Sequence, residues 1–309
     1  MSNYKILTLL LVTFALNACI WGSGSENSPV FYNGKTTPAI ITAENGKEIA
    51  INGMSSQSLG GTGALLSGAD IVKEDETLSP VPLPVRIAQS IKIIAEKQQT
   101  MDFPTVTVSG ATTTVRGSCG GSATTDVDAN FNFRSTFDDY CEGSGSEKFI
   151  ISGSMTLTNS SFSYEQLRIR GAGFDVSMNG DMTFTSNFGN LSGSFSFTTN
   201  MDMRNNFTGE VSRLENYEVS TNTSSDNFQL DISGRVYQSS YGYVDIETIT
   251  PISFDVSTGE MRGKMRFRGQ NSSVTLEFLG DGFFRITVEN SGRVISTENV
   301  TFEDIFAEL

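Results

Sequence analysis

From Met101 onward, apolar and polar residues alternate almost one for one, in "TVTV", "VDANFNFRSTF", "FIISGSMTL", "SFSF", "VTLEF" and "FRITV". A repeat of two sends successive side chains to opposite faces of an extended chain. Each segment therefore has one face to bury and one for water. Ser, Thr, Asn and Gly are abundant and strong helix formers scarce, so about 200 residues read as antiparallel strands joined by short turns. Asp281-Gly282 in "FLGDGFFRI" marks one such turn.

Within the strands a pattern of apolar-x-Gly-x-apolar-x-apolar recurs in "ISGSMTL", "MNGDMTF", "LSGSFSF" and "MRGKMRF", and "ISGRVYQ" matches all but its last place. Alternation puts Gly153, Gly180, Gly193, Gly234 and Gly263 on the apolar face, where the missing side chain lets a sheet bend or another element come close. Before the strands, "VPLPVRIAQSIKIIAEKQQ" carries apolar residues at spacings of three and four and predicts a helix over 84–98. "TAENGKEIAING" has two readings. Asn45-Gly46 suits a hairpin turn, whereas Thr42 suits an N-cap; the second is favoured and predicts a short helix over 43–52. The expected fold is mainly β: a large curved antiparallel meander sheet packing against one or two N-terminal helices. Residues 31–100 form a helical N-terminal segment, 101–309 an antiparallel β domain, and 31–309 one folded unit.

The first residues have another purpose. Ile6–Leu16 is an eleven-residue apolar run behind a single cation, Lys5. It is too short to span a bilayer and suits a signal peptide over 1–18. Leu16-Asn17-Ala18-Cys19 resembles a bacterial lipobox, which implies that Cys19 becomes the acylated first residue of the mature chain. Two or more acyl chains hold firmly, at roughly 0.8 kcal/mol per buried CH₂. Residues 19–30, with Gly22-Ser23-Gly24-Ser25, read as a lipidated tether. Trp21 suits either the headgroup level or a solvated tether. Ile20 in place of Asp implies, by the same resemblance, sorting to the outer membrane, with either its periplasmic or its surface face open.

An exported chain that retains Cys119 and Cys141 is expected to join them in a disulfide. With Cys119 opposite Cys141, Ala123 faces Phe137 and Val127 faces Phe133, both pairs on the cysteines' side. Asp126, Asp128, Asn132, Arg134 and Thr136 take the other side, with a turn near Ala129-Asn130. "GKTTPAIIT", "CGGSATTDVD…YCEGSG" and "SGRVYQSSYGYVDIETITP" resemble segments of a family of uncharacterised β-rich bacterial lipoproteins. The resemblance implies export and the Cys119–Cys141 pair and carries no known activity. Gly46 departs from the better helix former expected at its position.

The chain has no histidine, which excludes Ser-His-Asp and Cys-His catalysis and nearly all zinc enzymes. Its net charge of −14 argues against nucleic acid and against electrostatic docking on anionic lipid. Asp126-x-Asp128-x-Asn130 opens like a calcium loop, but Phe131 and Phe137 stand where glycine and a bidentate glutamate belong. Asp138-Asp139 with Glu142 is an acidic group whose neighbours should point to opposite faces of a strand, poorly placed for glycoside chemistry. Tyr237, Tyr241 and Tyr243 are candidate ligand-binding residues, or cross-strand pairs. The expectation is no enzyme, no metal and no cofactor. The expected role is a lipoprotein held in the membrane through Cys19, acting as a structural or interaction module of the bacterial envelope. The alternative is a carrier of an apolar ligand, a lipid, between concave sheet and helix; an envelope protein or lipid is the partner in prospect.

Overall fold

The computed structural model describes residues 29–60, 112–129, 132–145, 148–158, 160–171, 174–185, 195–223, 227–255 and 260–301. Cys19, Trp21, Gly193 and the helix expected over 84–98 lie outside them. The chain is mainly β, as its alternation predicts. Helix α1 spans Gly46–Gly60. The strands are β1 (Thr112–Arg116), β2 (Gly120–Val127), β3 (Phe133–Glu142), β4 (Phe149–Leu157), β5 (Ser161–Gly171), β6 (Phe174–Phe184) and β7 (Phe195–Asn205), then β8 (Val211–Thr223), β9 (Asn227–Gln238), β10 (Gly242–Asp255), β11 (Met261–Arg268), β12 (Ser272–Gly280), β13 (Phe283–Asn290) and β14 (Arg293–Thr301). Each pairs with its neighbours in chain order in one open antiparallel sheet. One face carries the core, from Ala123 on β2 to Val300 on β14, with Ile49, Ala50 and Ile51 of α1 in the same cluster.

The sheet bends where its alternation breaks. In β3 the buried Phe137 is followed by two exposed aspartates before the buried Tyr140. In β5 Glu165 and Gln166 separate Tyr164 from Leu167, and in β8 Glu215 and Asn216 separate Leu214 from Tyr217. Two residues where one is expected make a bulge, and the inward set changes parity. The second residue of each pair takes a left-handed backbone: Asp139 at φ 47°, Gln166 at 52° and Asn216 at 47°.

Two of the recurring glycines sit against these bulges, Gly153 at Gln166 and Gly234 at Asn216. A Cβ on Gly153 would lie 2.2 Å from the Gln166 carbonyl oxygen, and one on Gly180 2.2 Å from that of Asn200. Gly234 and Gly263 meet backbone on neighbouring strands in the same way. Aromatic residues lie opposite the gaps, with Phe137 across from Gly153, Tyr164 from Gly180 and Phe278 from Gly263. The described glycines on the apolar face are thus positions where strands approach closely, and three of them have an aromatic residue in register on a neighbouring strand.

The N-terminal residues depart from the expected helical segment. Residues 29–42 carry no helix, and α1 starts at Gly46 behind a turn over 43–45 rather than running over 43–52. Thr42 and Asn45 explain the start. The Asn45 Oδ1 accepts from the Thr42 N–H (2.7 Å), and the Thr42 Oγ1 accepts from the Asn45 N–H (3.4 Å). This reciprocal cap satisfies two amides that would otherwise lack partners. Gly46, costly for a helix, fits its place: a Cβ there would lie 2.5 Å from Val288, and one on Gly53, seven residues on, 2.5 Å from Phe267. The bare face lets α1 lie close on the sheet.

In the β2–β3 hairpin Ala123 faces Phe137 and Val127 faces Phe133, as the spacing predicts. Cys119 and Cys141 are joined, with Cα atoms 5.1 Å apart. The register slips near the disulfide, where Gly120 rather than Cys119 pairs with Cys141. The bulge at Asp139 lies between Phe137 and Cys141, so the expectation that the cysteines share the face of the two apolar pairs is corrected. Tyr140 joins the core cluster, while Cys141 is buried outside it.

Candidate functional site

The outward face of the strands is laced by ion pairs, among them Arg134–Glu165, Arg170–Asp139, Arg235–Asp245 and Lys264–Glu277. A lipid-embedded barrel would carry an apolar band there. Amid these charges lies a second, small apolar cluster of Val30, Tyr32, Val211 and Tyr237, flanked by Tyr243. Tyr237 and Tyr243 are a register pair between β9 and β10, with ring centroids 5.4 Å apart, and Tyr32 stands 5.4 Å from Tyr237. Arg213 lies over Tyr32 (5.5 Å) and Arg235 over Tyr243 (4.0 Å).

This cluster holds residues 29–41, a strap that starts on the outer face and ends in the core. The Asp202 carboxylate accepts two hydrogen bonds from Arg213 (2.7 and 2.9 Å) and one from the Tyr32 N–H (2.9 Å). The Tyr32 hydroxyl lies 2.7 Å from the Lys35 carbonyl oxygen and 3.1 Å from that of Gln238. Burial pushes its pKa up to about 12. Further on, the strap takes the place of β11 beside Tyr243, because β11 pairs with β10 only from Asp245. The Tyr243 N–H donates to Thr37 (2.9 Å) and the Ala39 N–H to Tyr243 (2.8 Å). The strap then passes the β11–β12 turn, where Gln270 donates to Ala39 (2.7 Å), and Ala39 and Ile41 enter the core.

The three candidate tyrosines do not form one site. Tyr237 and Tyr243 clasp the strap, and Tyr237 donates to Glu215 (2.9 Å). Tyr241 lies at the β9–β10 turn and donates to Glu48 of α1, a bond that, with burial, raises its pKa to about 12. The cross-strand reading of the first two holds, and the strap is the element that sequence reasoning missed. "VFYNGKTTP" gives no sign of it beyond Val30 and Tyr32 alternating around Phe31.

The acidic candidates have structural partners. Asp126 accepts from Thr112 (2.5 Å), and Asp128 accepts from the backbone (2.9 Å) and side chain (2.8 Å) of Asn132, closing the hairpin turn. Asp138 and Asp139 both face water, because the bulge overrides the expected opposition. Asp139 accepts from Ser152 (2.6 Å) and Arg170 (2.7 Å), and Glu142 from Ser118 (2.6 Å) and Tyr140 (2.5 Å). Among the described residues no three His, Cys, Asp or Glu side chains gather where they could hold a metal ion, and no helix is long and apolar enough to cross a membrane. An open cleft of about 460 Å³ lies at the tips of the β11–β12 and β13–β14 hairpins, lined by Arg266, Arg268, Ser273 and Glu289. Its two arginines are both paired with Glu247.

Comparison with protein-family models, with curated proteins and with solved structures finds no match.

Proposed function

We propose that this chain is a lipid-anchored module of the bacterial envelope, held in the outer membrane through Cys19 and acting by binding or scaffolding rather than by catalysis. The observation that supports this reading best is the strap. The tether ends where Val30, fully buried, and Tyr32 fasten the chain to the outside of the sheet, before it passes into the core. A pull on the N-terminus is thereby taken up by the sheet rather than by a loose end. The wild-type protein should incorporate labelled palmitate and sediment with membranes, and Cys19→Ser should abolish both. Unlabelled wild-type protein in the soluble fraction would refute the reading.

A carrier role is the second reading, favoured by the softness of the inner face. Met155, Met178, Met182, Met201 and Met203 are all at most 2% exposed, and the fully buried Tyr164 hydroxyl has no hydrogen-bond partner among the described residues. Methionines repack around varied apolar shapes. A carrier purified without detergent should retain about one lipid per chain in native mass spectrometry; protein that is consistently bare removes this reading.

A further inference from the structure

We infer that the end of the sheet crossed by the strap is a lipid-contacting surface, which rests on the leaflet that holds the acyl chains. The inference rests on acylation of Cys19 and adds an orientation to it. In a meander every second turn falls at the same end. The β7–β8, β9–β10, β11–β12 and β13–β14 turns therefore share one rim, and the strap crosses it between the second and third of them.

Among the described residues, five of the seven exposed large apolar side chains lie at that end; Ile249 within β10 and Phe283 at the β12–β13 turn are the other two. Phe31 and Ile40 on the strap are 62% and 60% exposed, Phe207 in the β7–β8 turn 67%, and Val294 and Ile295, just past the β13–β14 turn, 59% and 46%. Single exposed apolar residues are ordinary, but a set collected at one end of a molecule marks a contact. Phe31 and Phe207 are also rigidly presented. Phe31 points outward because Val30 and Tyr32, on either side, are buried. Phe207 stands on a braced turn, with Asn205 Oδ1 accepting from the Phe207 N–H (2.9 Å) and Asn206 donating to Asp175 and Ser177 (both 2.8 Å).

The charge pattern suits a lipid surface. Apart from Phe207 and Tyr241, the turns themselves are built of Asn, Thr, Ser, Gly and Gln, with Glu210 their one carboxylate, in a chain of net charge −14. Glu48 stands near Glu210, and on the strap the Lys35 ammonium donates to the Ser240 carbonyl of the β9–β10 turn (2.6 Å). Apolar insertion through uncharged turns avoids the repulsion that the acidic body would meet at an anionic leaflet. The reach agrees. Nine residues separate Cys19 from Pro29, so Pro29 lies no farther than about 35 Å from the anchor, even with the chain fully extended.

The test is photo-crosslinking of the full lipidated chain on vesicles of phosphatidylethanolamine and phosphatidylglycerol that contain a lipid with a photoreactive group near its headgroup. Peptides covering 29–40 and 205–210 should take up lipid about fivefold more than those from the opposite end around Asp281 and Asn299. Phe31→Ser with Phe207→Ser should remove the excess while the protein stays on the vesicles. Even labelling of both ends, or an excess that survives the double substitution, overturns the inference. If the natural protein proves not to be acylated, the anchor reading fails by itself. The same chain tethered by a maleimide lipid on the Cys19 thiol then gives the same comparison, decided by the same two outcomes.

Discussion

At Gly180 the backbone takes φ 149°, and a Cβ would strike the Asn200 carbonyl oxygen at 2.2 Å. Gly292 also has positive φ, at 75°, but faces open space. The two positions separate backbone strain from steric collision. Gly292→Ala should cost about 1 kcal/mol from strain alone. Gly180→Ala must also part β6 from β7 and should cost about 3 kcal/mol or more, as read from urea unfolding midpoints. Equal losses would mean that the close approach of these strands is not what requires glycine. The bulge residues are the counterpart of this seam: Asp139, Gln166 and Asn216 are polar residues of the kind that tolerate a left-handed backbone more readily than β-branched ones.

Between elements, the joint of the β5–β6 hairpin with the β7–β8 turn is held by one carboxylate. Asp175 accepts two hydrogen bonds from Arg168 (2.9 and 2.8 Å) and one from Asn206 (2.8 Å), with only 13% of its side chain exposed. The Arg168 guanidinium holds the Asp175 carboxyl below its usual range, even against the opposing effect of burial. A lowered folded pKa stabilises the protein above the unfolded value of about 4, and the contribution is lost as pH falls through the lower folded value. Asp175→Asn should therefore cost about 2–3 kcal/mol at pH 7, and the gap from wild type should narrow below pH 4. A gap independent of pH would show that the loss is one of shape rather than charge.

The elements also show what the sequence could disclose. Alternation revealed the strands and the β2–β3 register because each buried face is written directly in the order of residues. The bulges were visible in principle as "FDDY", "YEQL" and "LENY", where two polar residues interrupt an alternating run. Reading Asp138-Asp139 as an acidic pair of a regular strand concealed the parity change that puts both outside. The strap was not legible, because Tyr32 depends on Asp202, 170 positions away, and no local period encodes such a contact. Gly46 looked like a defect in a helix until Val288 was found against it.

Over the whole molecule, among the described residues, apolar side chains gather on one face, paired charges on the other, and most exposed large apolar residues at one rim. The outward ion pairs are mostly half-exposed and individually worth little, from about 0 to 1 kcal/mol. They do keep that face wet and hostile to lipid, in contrast to the rim. The central claim, that the molecule is held by its N-terminus, is tested most directly by the mass of the N-terminal peptide of protein extracted from membranes. The account predicts that this peptide begins at Cys19 and carries a diacylglyceryl group and an amide-linked acyl chain. A peptide that begins elsewhere, or at Cys19 with a free thiol, would contradict it.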